Sequence, residues 1–317
     1  MKILITADWH IRGDRPRCRT DEDWLESQRE DIRAVVKVAR QKRVDAVWIL
    51  GDLFHQPRCA TEAVNMVLEE LNRLRNVCPV RILPGNHDLP YHDFNNLHAC
   101  SLGIVYNAGY EMLETDNGDE MASSFGELAL HPGFRTLYAT PFGMEDTEGL
   151  REFVNDFWAT HQLTFETEKD RPIEGIGKTA QDLLDMAPGV SVIMTGDYHH
   201  GYVYRNADRC VITPGCINIQ VADMANYRPR VYILETTSLE VEAVYLEGHA
   251  GDIVTDYLET ERERDERMEK VLSVIGGADG VSLSFTDNLE REIAGPDFEA
   301  ARGVYPELKD KLNKDRT

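Results

Sequence analysis

Five short motifs along the first two thirds of the chain combine carboxylate, amide and imidazole side chains. They are Asp8-Trp9-His10, Gly51-Asp52-Leu53-Phe54-His55, Gly85-Asn86-His87-Asp88, the lone His161, and Gly196-Asp197-Tyr198-His199-His200. Each motif alone is common for structural reasons, but carboxylate oxygens, an amide carbonyl and imidazoles together suit a pair of divalent metal ions. Two ions about 3.5–4 Å apart clamp the attacking and leaving oxygens of a phosphoryl transfer and lower the pKa of a bound water. The motifs therefore predict a two-metal phosphoesterase.

Predicted strands and helices alternate around these motifs. Apolar runs predict strands, and amphipathic patterns predict helices, at Lys2–Ala7, Asp21–Ala39, Val44–Leu50, Ala60–Leu74 and Val80–Leu83 in that β-α-β-α-β order. Later strands are expected at Leu137–Thr140, Ser191–Thr195 and Cys210–Thr213. Strands that alternate with helices of this length favour a parallel-rich sheet covered by helices. Ligands of such sheets bind at the carboxyl ends of the strands, which is where the first three motifs fall.

The pattern of the chain changes towards its C-terminal end. It is typical of paired strands at Arg230–Glu235 and Val241–Leu246, of a highly charged helix at Asp256–Val274, and of a further strand at Val281–Phe285. We therefore expect a phosphoesterase domain at residues 1–228 and a small second α+β domain at residues 229–317.

The spelling of the motifs resembles a known family. Asp8-Trp9-His10, Gly51–His55 and Gly85–Asp88 follow the signatures of the calcineurin-like metallophosphoesterases. Within that superfamily they are most similar to SbcD-type DNA double-strand-break repair exonucleases, which include phage recombination nuclease subunits. The resemblance implies an α/β fold in which a sandwich of two mixed β-sheets is flanked by helices and followed by a small C-terminal α+β capping domain. It also implies a metal-dependent exonuclease or endonuclease that hydrolyses phosphodiester bonds in DNA during repair or recombination.

The resemblance further implies the cofactors and partners. Two divalent metal ions are expected, with Mn²⁺ as the first choice and Mg²⁺, Fe²⁺ or Zn²⁺ as alternatives. The expected partners are DNA, an SMC-like ATPase subunit of the SbcC type and a second copy of the chain, with no membrane.

Individual side chains take roles by position in the same resemblance. One ion would be held by Asp8, His10, Asp52 and His199, and the other by Asp52 as the bridge, Asn86, His161 and Asp197. His87 matches the histidine that stabilises the transition state, His55 supports it, and Asp88 is a second candidate for orienting it. Asp197 stands where the family usually has histidine, so one alternative is that it merely orients another group. The alternative for His161 is a surface histidine.

Four arginines follow the first motif within eight residues, namely Arg12, Arg15, Arg17 and Arg19. Guanidinium groups match the oxygens of phosphates, so we expect this loop to bind the substrate backbone. The alternative is an exposed loop that pairs with the many acidic side chains of the protein.

The acidic balance of the chain keeps other functions open. The formal net charge of −22 opposes simple non-specific DNA binding, because phosphates are attracted to positive surfaces. The main alternative is therefore a phosphatase or phosphodiesterase that acts on small molecules or phosphoproteins with the same dinuclear site. A non-catalytic scaffold is a third alternative, but it requires the loss of ligands that this chain retains.

Cysteine spacing and hydropathy indicate the compartment. The six cysteines have no zinc-finger spacing and are expected to be reduced thiols. No apolar run approaches the roughly 18 residues that a membrane span needs. The N-terminus enters a predicted strand without signal-peptide architecture. We therefore expect a cytoplasmic protein of a bacterial cell or a phage-infected host.

Overall fold

A computed structural model describes residues 1–113, 127–128, 137–140, 157–171, 177–247 and 253–255 of the 317-residue chain. Its strands are β1 (Lys2–Thr6), β2 (Ala46–Leu50), β3 (Val80–Leu83), β4 (Glu111–Met112), β5 (Glu127–Leu128), β6 (Leu137–Thr140), β7 (Phe157–His161), β8 (Thr164–Phe165), β9 (Lys178–Thr179), β10 (Val192–Gly196), β11 (Tyr202–Asn206), β12 (Arg209–Thr213), β13 (Arg230–Glu235) and β14 (Glu240–Tyr245). Its α-helices are α1 (Trp24–Lys42), α2 (Thr61–Arg75), α3 (Ser101–Asn107) and α4 (Ala180–Met186). Within these described segments, no helix is both long and apolar enough to cross a membrane.

Twelve of the described strands form two six-stranded mixed sheets, and β8 and β9 form a separate two-stranded sheet. The order of the first sheet is β14-β13-β1-β2-β3-β4, and that of the second is β11-β12-β10-β7-β6-β5. Strands β1 to β4 run parallel, as do β6, β7, β10 and β12, whereas β13, β14, β5 and β11 pair antiparallel with their neighbours. This confirms the predicted α/β class with two mixed sheets. The parallel runs place the carboxyl ends of several strands at the same edge of each sheet.

The two sheets pack face to face across an apolar core. Ile3 and Ile5 of β1 lie on this inner face, because successive side chains of a strand point to opposite sides. They belong to one buried cluster with Trp48, Phe157 and Met194, which come from both sheets. Full burial of one such side chain stabilises the fold by about 1.5–3 kcal/mol. The apolar core between the two sheets therefore holds them together.

Helices cover the outer faces of both sheets. Leu4 alternates with the inner residues of β1 and packs in a second cluster with Ile32 of α1 and Val67 of α2. On the other side, Leu183 of α4 packs with Ile193 of β10. The result is a helix–sheet–sheet–helix arrangement, which is the predicted sandwich flanked by helices.

The first helix begins and ends later than the predicted Asp21–Ala39. Its N-cap is Asp23, whose carboxylate accepts a hydrogen bond from the backbone N–H of Glu26 at 3.0 Å. Its C-cap, Arg43, has the left-handed φ of 53° that terminates many helices. The caps, rather than the apolar pattern, therefore set the observed bounds Trp24–Lys42.

The strands β13 and β14 belong to the first sheet. Leu4 of β1 pairs with Ile233 of β13 in antiparallel register, and β13 pairs in turn with β14. The assignment of these two strands to a second domain that starts at residue 229 is therefore corrected. The chain divides into compact units at Met1–Val254 and Thr255–Thr317. The predicted helix at Asp256–Val274 and strand at Val281–Phe285 lie outside the described residues, so the capping domain stays a prediction.

Candidate metal centre

The first group of candidate ligands gathers side chains that follow β1, β2 and β10. The Nε2 atom of His10 lies 2.9 Å from Nε2 of His199, 3.4 Å from Oδ2 of Asp52 and 3.9 Å from Oδ1 of Asp8. Asp8 and Asp52 are fully buried. Lone pairs of two imidazoles and oxygens of two carboxylates thus converge at one point, as in a site for a divalent cation.

A second group lies beside the first and gathers side chains that follow β2, β3, β7 and β10. Nε2 of His161 lies 2.9 Å from Oδ1 of Asn86, 3.4 Å from Oδ2 of Asp52 and 3.9 Å from Oδ1 of Asp197. His161 is only 3% exposed, so it is not a surface histidine. Its Nδ1–H donates a hydrogen bond to the carbonyl oxygen of Leu50 at 2.7 Å, which leaves Nε2 as the ligating atom.

Asp52 joins the two groups. Its Oδ2 atom lies 3.4 Å from both His10 and His161, whereas its Oδ1 atom accepts a hydrogen bond from the backbone N–H of His87 at 2.9 Å. The Oδ2 atom is buried and has no hydrogen-bond donor within the described part of the chain. A buried, unpaired carboxylate oxygen between two imidazole nitrogens fits a bridge between two cations.

The backbone at these ligands is strained. Asp8, His10, Asp52 and Asp197 have φ angles of 52°, 44°, 51° and 78°, in the left-handed region that residues other than glycine seldom adopt. Such strain costs about 1–3 kcal/mol per residue and concentrates at functional sites. Gly51 allows the close approach, since a Cβ atom there would overlap the ring of His161. The backbone conformation at the strand ends therefore brings the candidate ligands close together.

Comparison with known proteins identifies the family. Residues 1–201 match the calcineurin-like phosphoesterases. The chain belongs to this family. It is therefore a phosphoesterase whose paired ligand groups are those of a metal-dependent hydrolase.

Individual relatives share parts of the chain or its fold. A segment of 94 residues, 28% of this phosphoesterase, is 37% identical to 21% of the DNA double-strand break repair protein Mre11 of Aeropyrum pernix. An archaeal phosphodiesterase of known structure is 17% identical and covers 78% of this chain and 100% of its own, with a TM-score of 0.41. A dimetal phosphatase from Danio rerio is 12% identical and covers 78% of this chain and 99% of its own, with a TM-score of 0.47.

Electrostatics in the phosphoesterase site favour positive charge. Burial alone would lower the pKa of His161, but Asp52, Asp8 and Asp197 raise it to about 10. Burial opposes the ionisation of Asp52, yet His161 and His10 hold its pKa below the ordinary value. Burial also lowers the pKa of His10, which keeps its lone pairs available. The carboxylates therefore stabilise a cation where the two groups meet, which fits divalent metals.

Asp197 contacts both groups. Its backbone N–H donates to Oδ1 and Oδ2 of Asp8 at 3.0 and 3.2 Å, which orients that carboxylate. Its own carboxylate oxygen is the one that lies 3.9 Å from His161 Nε2. The residue is thus placed for both expected roles, as a ligand beside His161 and as an orienting group for Asp8.

The ring of His87 lies at the rim of the ligand groups. Its centroid is 4.9 Å from that of His10, and its Nδ1–H donates to the backbone carbonyl of His55 at 2.9 Å. The His55 ring stacks on His87 with centroids 5.7 Å apart. Since Nδ1 is engaged, Nε2 of His87 is the atom free to contact a phosphate.

Asp88 acts on the backbone rather than on His87. Its buried carboxylate accepts hydrogen bonds from the backbone N–H groups of Leu53, Phe54 and Gly85 at 3.2, 2.9 and 2.9 Å. Burial and the nearby charge of Asp52 raise its pKa to about 7. The role this supports is to tie the loops after β2 and β3 together, and so to position Asp52 and His87.

The four arginines do not share one role. Arg12 donates from Nη1 to Nε2 of His55 at 3.0 Å and pairs with Asp14, so it lies at the edge of the candidate metal centre. Burial and the Arg12 charge lower the pKa of His55 to about 4. Arg15 donates to the backbone carbonyl of Asp21 at 2.6 Å.

Arg19 is a structural residue. It is buried, and its guanidinium donates twice to Asp21, with both distances 2.8 Å. Its expected role in substrate binding is therefore corrected, because its donors are engaged inside the fold. Arg17 is exposed on the same loop.

Two supporting residues lie beyond the motifs. Asn218 donates to the backbone carbonyl of Trp9 at 2.7 Å, and Gln220 donates to that of His10 at 2.7 Å. They hold the strained loop after β1 in place. The signal that indicates them is their position after β12, at the sheet edge where the other motifs follow their strands.

Proposed function

We propose that this phosphoesterase is a metal-dependent DNA nuclease, an exonuclease or endonuclease that hydrolyses phosphodiester bonds in repair or recombination. The observation that supports DNA as the substrate is the 37% identity of a 94-residue segment to Mre11, a DNA double-strand break repair protein. The SbcD-like spelling of the motifs that contain Asp52 and His87 supports the same substrate.

Seven side chains would hold two divalent ions in this enzyme. They are Asp8, His10, Asp52, Asn86, His161, Asp197 and His199. We propose Mn²⁺ as the native metal, since carboxylate, amide and imidazole ligands occur together, with Mg²⁺, Fe²⁺ or Zn²⁺ as alternatives. When bound, the ions supply positive charge to the phosphate oxygens and make water nucleophilic at neutral pH.

His87 supplies the remaining proton chemistry in this proposal. Its Nδ1–H is fixed by the carbonyl of His55, so the exchangeable proton is at Nε2. From Nε2 the imidazolium donates a hydrogen bond to a non-bridging oxygen of the scissile phosphate, where negative charge develops. The same proton can pass to the leaving 3′ oxygen as the bond to phosphorus breaks. Asp88 and the His55 carbonyl orient the group, so these residues support the reaction without contacting the reacting atoms.

The test is manganese-dependent release of nucleotides from end-labelled DNA. It compares the wild type with Asp52→Ala and with Asp208→Ala, which removes an exposed carboxylate in the turn between β11 and β12. Release by the wild type and the control, lost in Asp52→Ala, is expected because Asp52 bridges the ligand groups. A wild type that binds two ions but never cuts single- or double-stranded DNA, alone or with an SMC-like ATPase, contradicts the proposal.

The alternative is a phosphatase or phosphodiesterase for small molecules or phosphoproteins. The net charge of −22 favours it, because the protein as a whole repels DNA. Turnover of p-nitrophenyl phosphate or bis(p-nitrophenyl) phosphate without any cleavage of DNA would select this alternative over the nuclease.

The partners form a separate part of the proposal. An SbcC-type ATPase and a second copy of the chain are supported by the family resemblance of the motifs. Light scattering of the purified chain tests the dimer, and co-purification with an SbcC-type ATPase tests the complex. A monomer at all concentrations excludes the first, and failure to co-purify excludes the second.

A further inference from the structure

A pocket of about 390 Å³ lies against His200, the residue that directly follows the candidate metal ligand His199. Its walls include His200, Tyr227, Arg228, Arg230 and Tyr245. Aromatic rings and guanidinium groups of this kind suit a ligand that is both anionic and planar.

Both guanidinium groups of the pocket lie close to the ring of Tyr245. Arg228 lies 4.4 Å and Arg230 lies 5.6 Å from the ring centroid of Tyr245, and Arg230 lies 5.4 Å from that of Tyr227. Neither forms an ion pair with any residue that the structure describes, although Asp223 also lines the pocket. In a chain with a net charge of −22, two such guanidinium groups form a local positive site.

The pocket wall is connected to the metal ligand His199. His200 follows His199 directly, and its ring lies 5.8 Å from that of Tyr227. The hydroxyl of Tyr227 donates to the carbonyl of Cys216 at 3.3 Å, and the N–H of Cys216 donates to the carbonyl of His199 at 3.1 Å. The wall of the pocket is therefore tied by hydrogen bonds to the candidate metal site.

We propose that this pocket binds one nucleotide of a single-stranded stretch of the substrate, adjacent to the nucleotide whose phosphate is cut. Arg228 and Arg230 would bind its phosphate, and Tyr245 would stack on its base. This inference rests on the proposed nuclease function. It explains how a strongly acidic protein holds DNA, because the attraction is confined to one site rather than spread over the surface.

The test is the fluorescence anisotropy of a fluorescein-labelled, phosphorothioate-linked oligothymidylate with the full chain and manganese. Tyr245→Ala should weaken binding about tenfold, since stacking on one aromatic ring supports one base. Arg228→Gln should weaken binding and reduce its dependence on salt, because one phosphate contact is lost. Tyr245 is 45% exposed on the edge strand β14, so its truncation leaves the core intact.

The matched control is Arg75→Gln. Arg75 also lies over a tyrosine ring, that of Tyr110 at 4.6 Å, but on α2 outside the pocket. This variant should bind the oligomer like the wild type. Circular dichroism and the metal content of each variant show that the fold and the site are intact.

The outcomes separate the pocket from the function. Wild-type affinity in both pocket variants overturns the pocket, even if the enzyme cuts DNA. Pocket-dependent binding with no cleavage by the wild type supports the pocket and contradicts the nuclease. If thymidine monophosphate binds as tightly as the oligomer, the pocket binds a free nucleotide and the proposed single-stranded ligand is excluded.

Discussion

His87 shows how one hydrogen bond can fix the chemistry of a side chain. Replacing it with alanine should leave both ions bound and lower kcat on DNA about 10²–10⁴-fold, because the proposed role of the ring is that of a proton donor rather than a ligand. The measurement is single-turnover cleavage of end-labelled DNA, with metal content determined on the same samples.

The control for His87 is His98→Ala. His98 is exposed, and its Nδ1 contacts a backbone carbonyl, that of Asn95, at 3.0 Å, as His87 contacts that of His55. Its loss should leave kcat unchanged. Normal cutting by the His87 variant would exclude the assigned role.

Asp197 stands where the family usually has histidine, and substitutions at this position can distinguish a metal ligand from a residue that only orients Asp8. Asp197→Ala should lower the affinity for one of the two ions at least about tenfold, because a carboxylate oxygen near His161 is lost. Asp197→His should still bind two ions, since imidazole is also a good ligand. Isothermal titration of the metal-free protein measures both. Unchanged affinity in the alanine variant would show that Asp197 acts only through its contact with Asp8.

Residue positions at strand ends were predictable, whereas contacts to backbone atoms were not. Asp8 and Asp52 follow apolar runs, and the edge of a parallel sheet brings such positions together. Asn218 and Gln220 bind backbone carbonyls across the site, and this contact has no characteristic spacing in the sequence. Arg19 was assigned to the substrate because the sequence does not reveal that its side chain is buried. Its partner is Asp21, two residues further along the chain.

The loop between β1 and α1 is held by the buried pair of Arg19 and Asp21. Their side chains are 3% and 1% exposed. Burial would raise the pKa of Asp21, but hydrogen bonds from Arg19 and Ser27 lower it to about 2. A carboxyl group with a lowered folded-state pKa stabilises the protein above its unfolded pKa of about 3.9, and this contribution is lost as the pH falls through about 2.

Asp21→Asn should therefore lower the free energy of unfolding by about 2 kcal/mol near neutral pH. The difference from the wild type should be constant between about pH 7 and pH 5 and fall to about half by pH 3, because the carboxyl group of the unfolded chain takes up its proton over that range while the folded one stays ionised. Urea unfolding at each pH measures it, with Asp208→Asn as the exposed control. A difference that does not change with pH would show that shape, rather than charge, makes the contribution.

Strands with a strong apolar pattern were predicted at the correct positions. Strands were assigned to the wrong domain where membership of a sheet depends on a distant pairing partner. The strands β1, β2 and β3 were found to within two residues because each is a mostly apolar run. The hairpin β13–β14 was recognised as paired strands but assigned to the wrong domain. Its membership of the first sheet depends on the contact of Leu4 with Ile233, and nothing local in either strand indicates so distant a partner.

The acidic residues of the molecule include two that are buried together in the candidate metal centre, Asp8 and Asp52. Removing the ions with EDTA should lower the Tm by about 5–10 °C, and excess Mn²⁺ should restore it, because ligands that bind only the folded state stabilise it. Scanning calorimetry measures the shift. Asp52→Ala is the control and should respond much less. An equal response in both proteins would place the stabilising ions elsewhere.

For the whole molecule, the motifs predicted the family and the order of the elements predicted the two-sheet sandwich. Neither predicted the substrate. The same dinuclear site serves different phosphate esters, so specificity depends on surfaces such as the pocket at Tyr245. Two of its residues, Arg230 and Tyr245, lie on β13 and β14, the strands that the sequence suggested for another domain.

The ligands also have a topological consequence. His10 and His199 are 189 residues apart in the chain, yet their Nε2 atoms are 2.9 Å from each other. An ion that binds both ties together two segments of the folded chain that are distant in sequence. Because such an ion binds only the folded state, it must leave before these segments separate. Bound metal should therefore slow the unfolding of the protein, whereas it leaves the conformations of the unfolded chain unchanged.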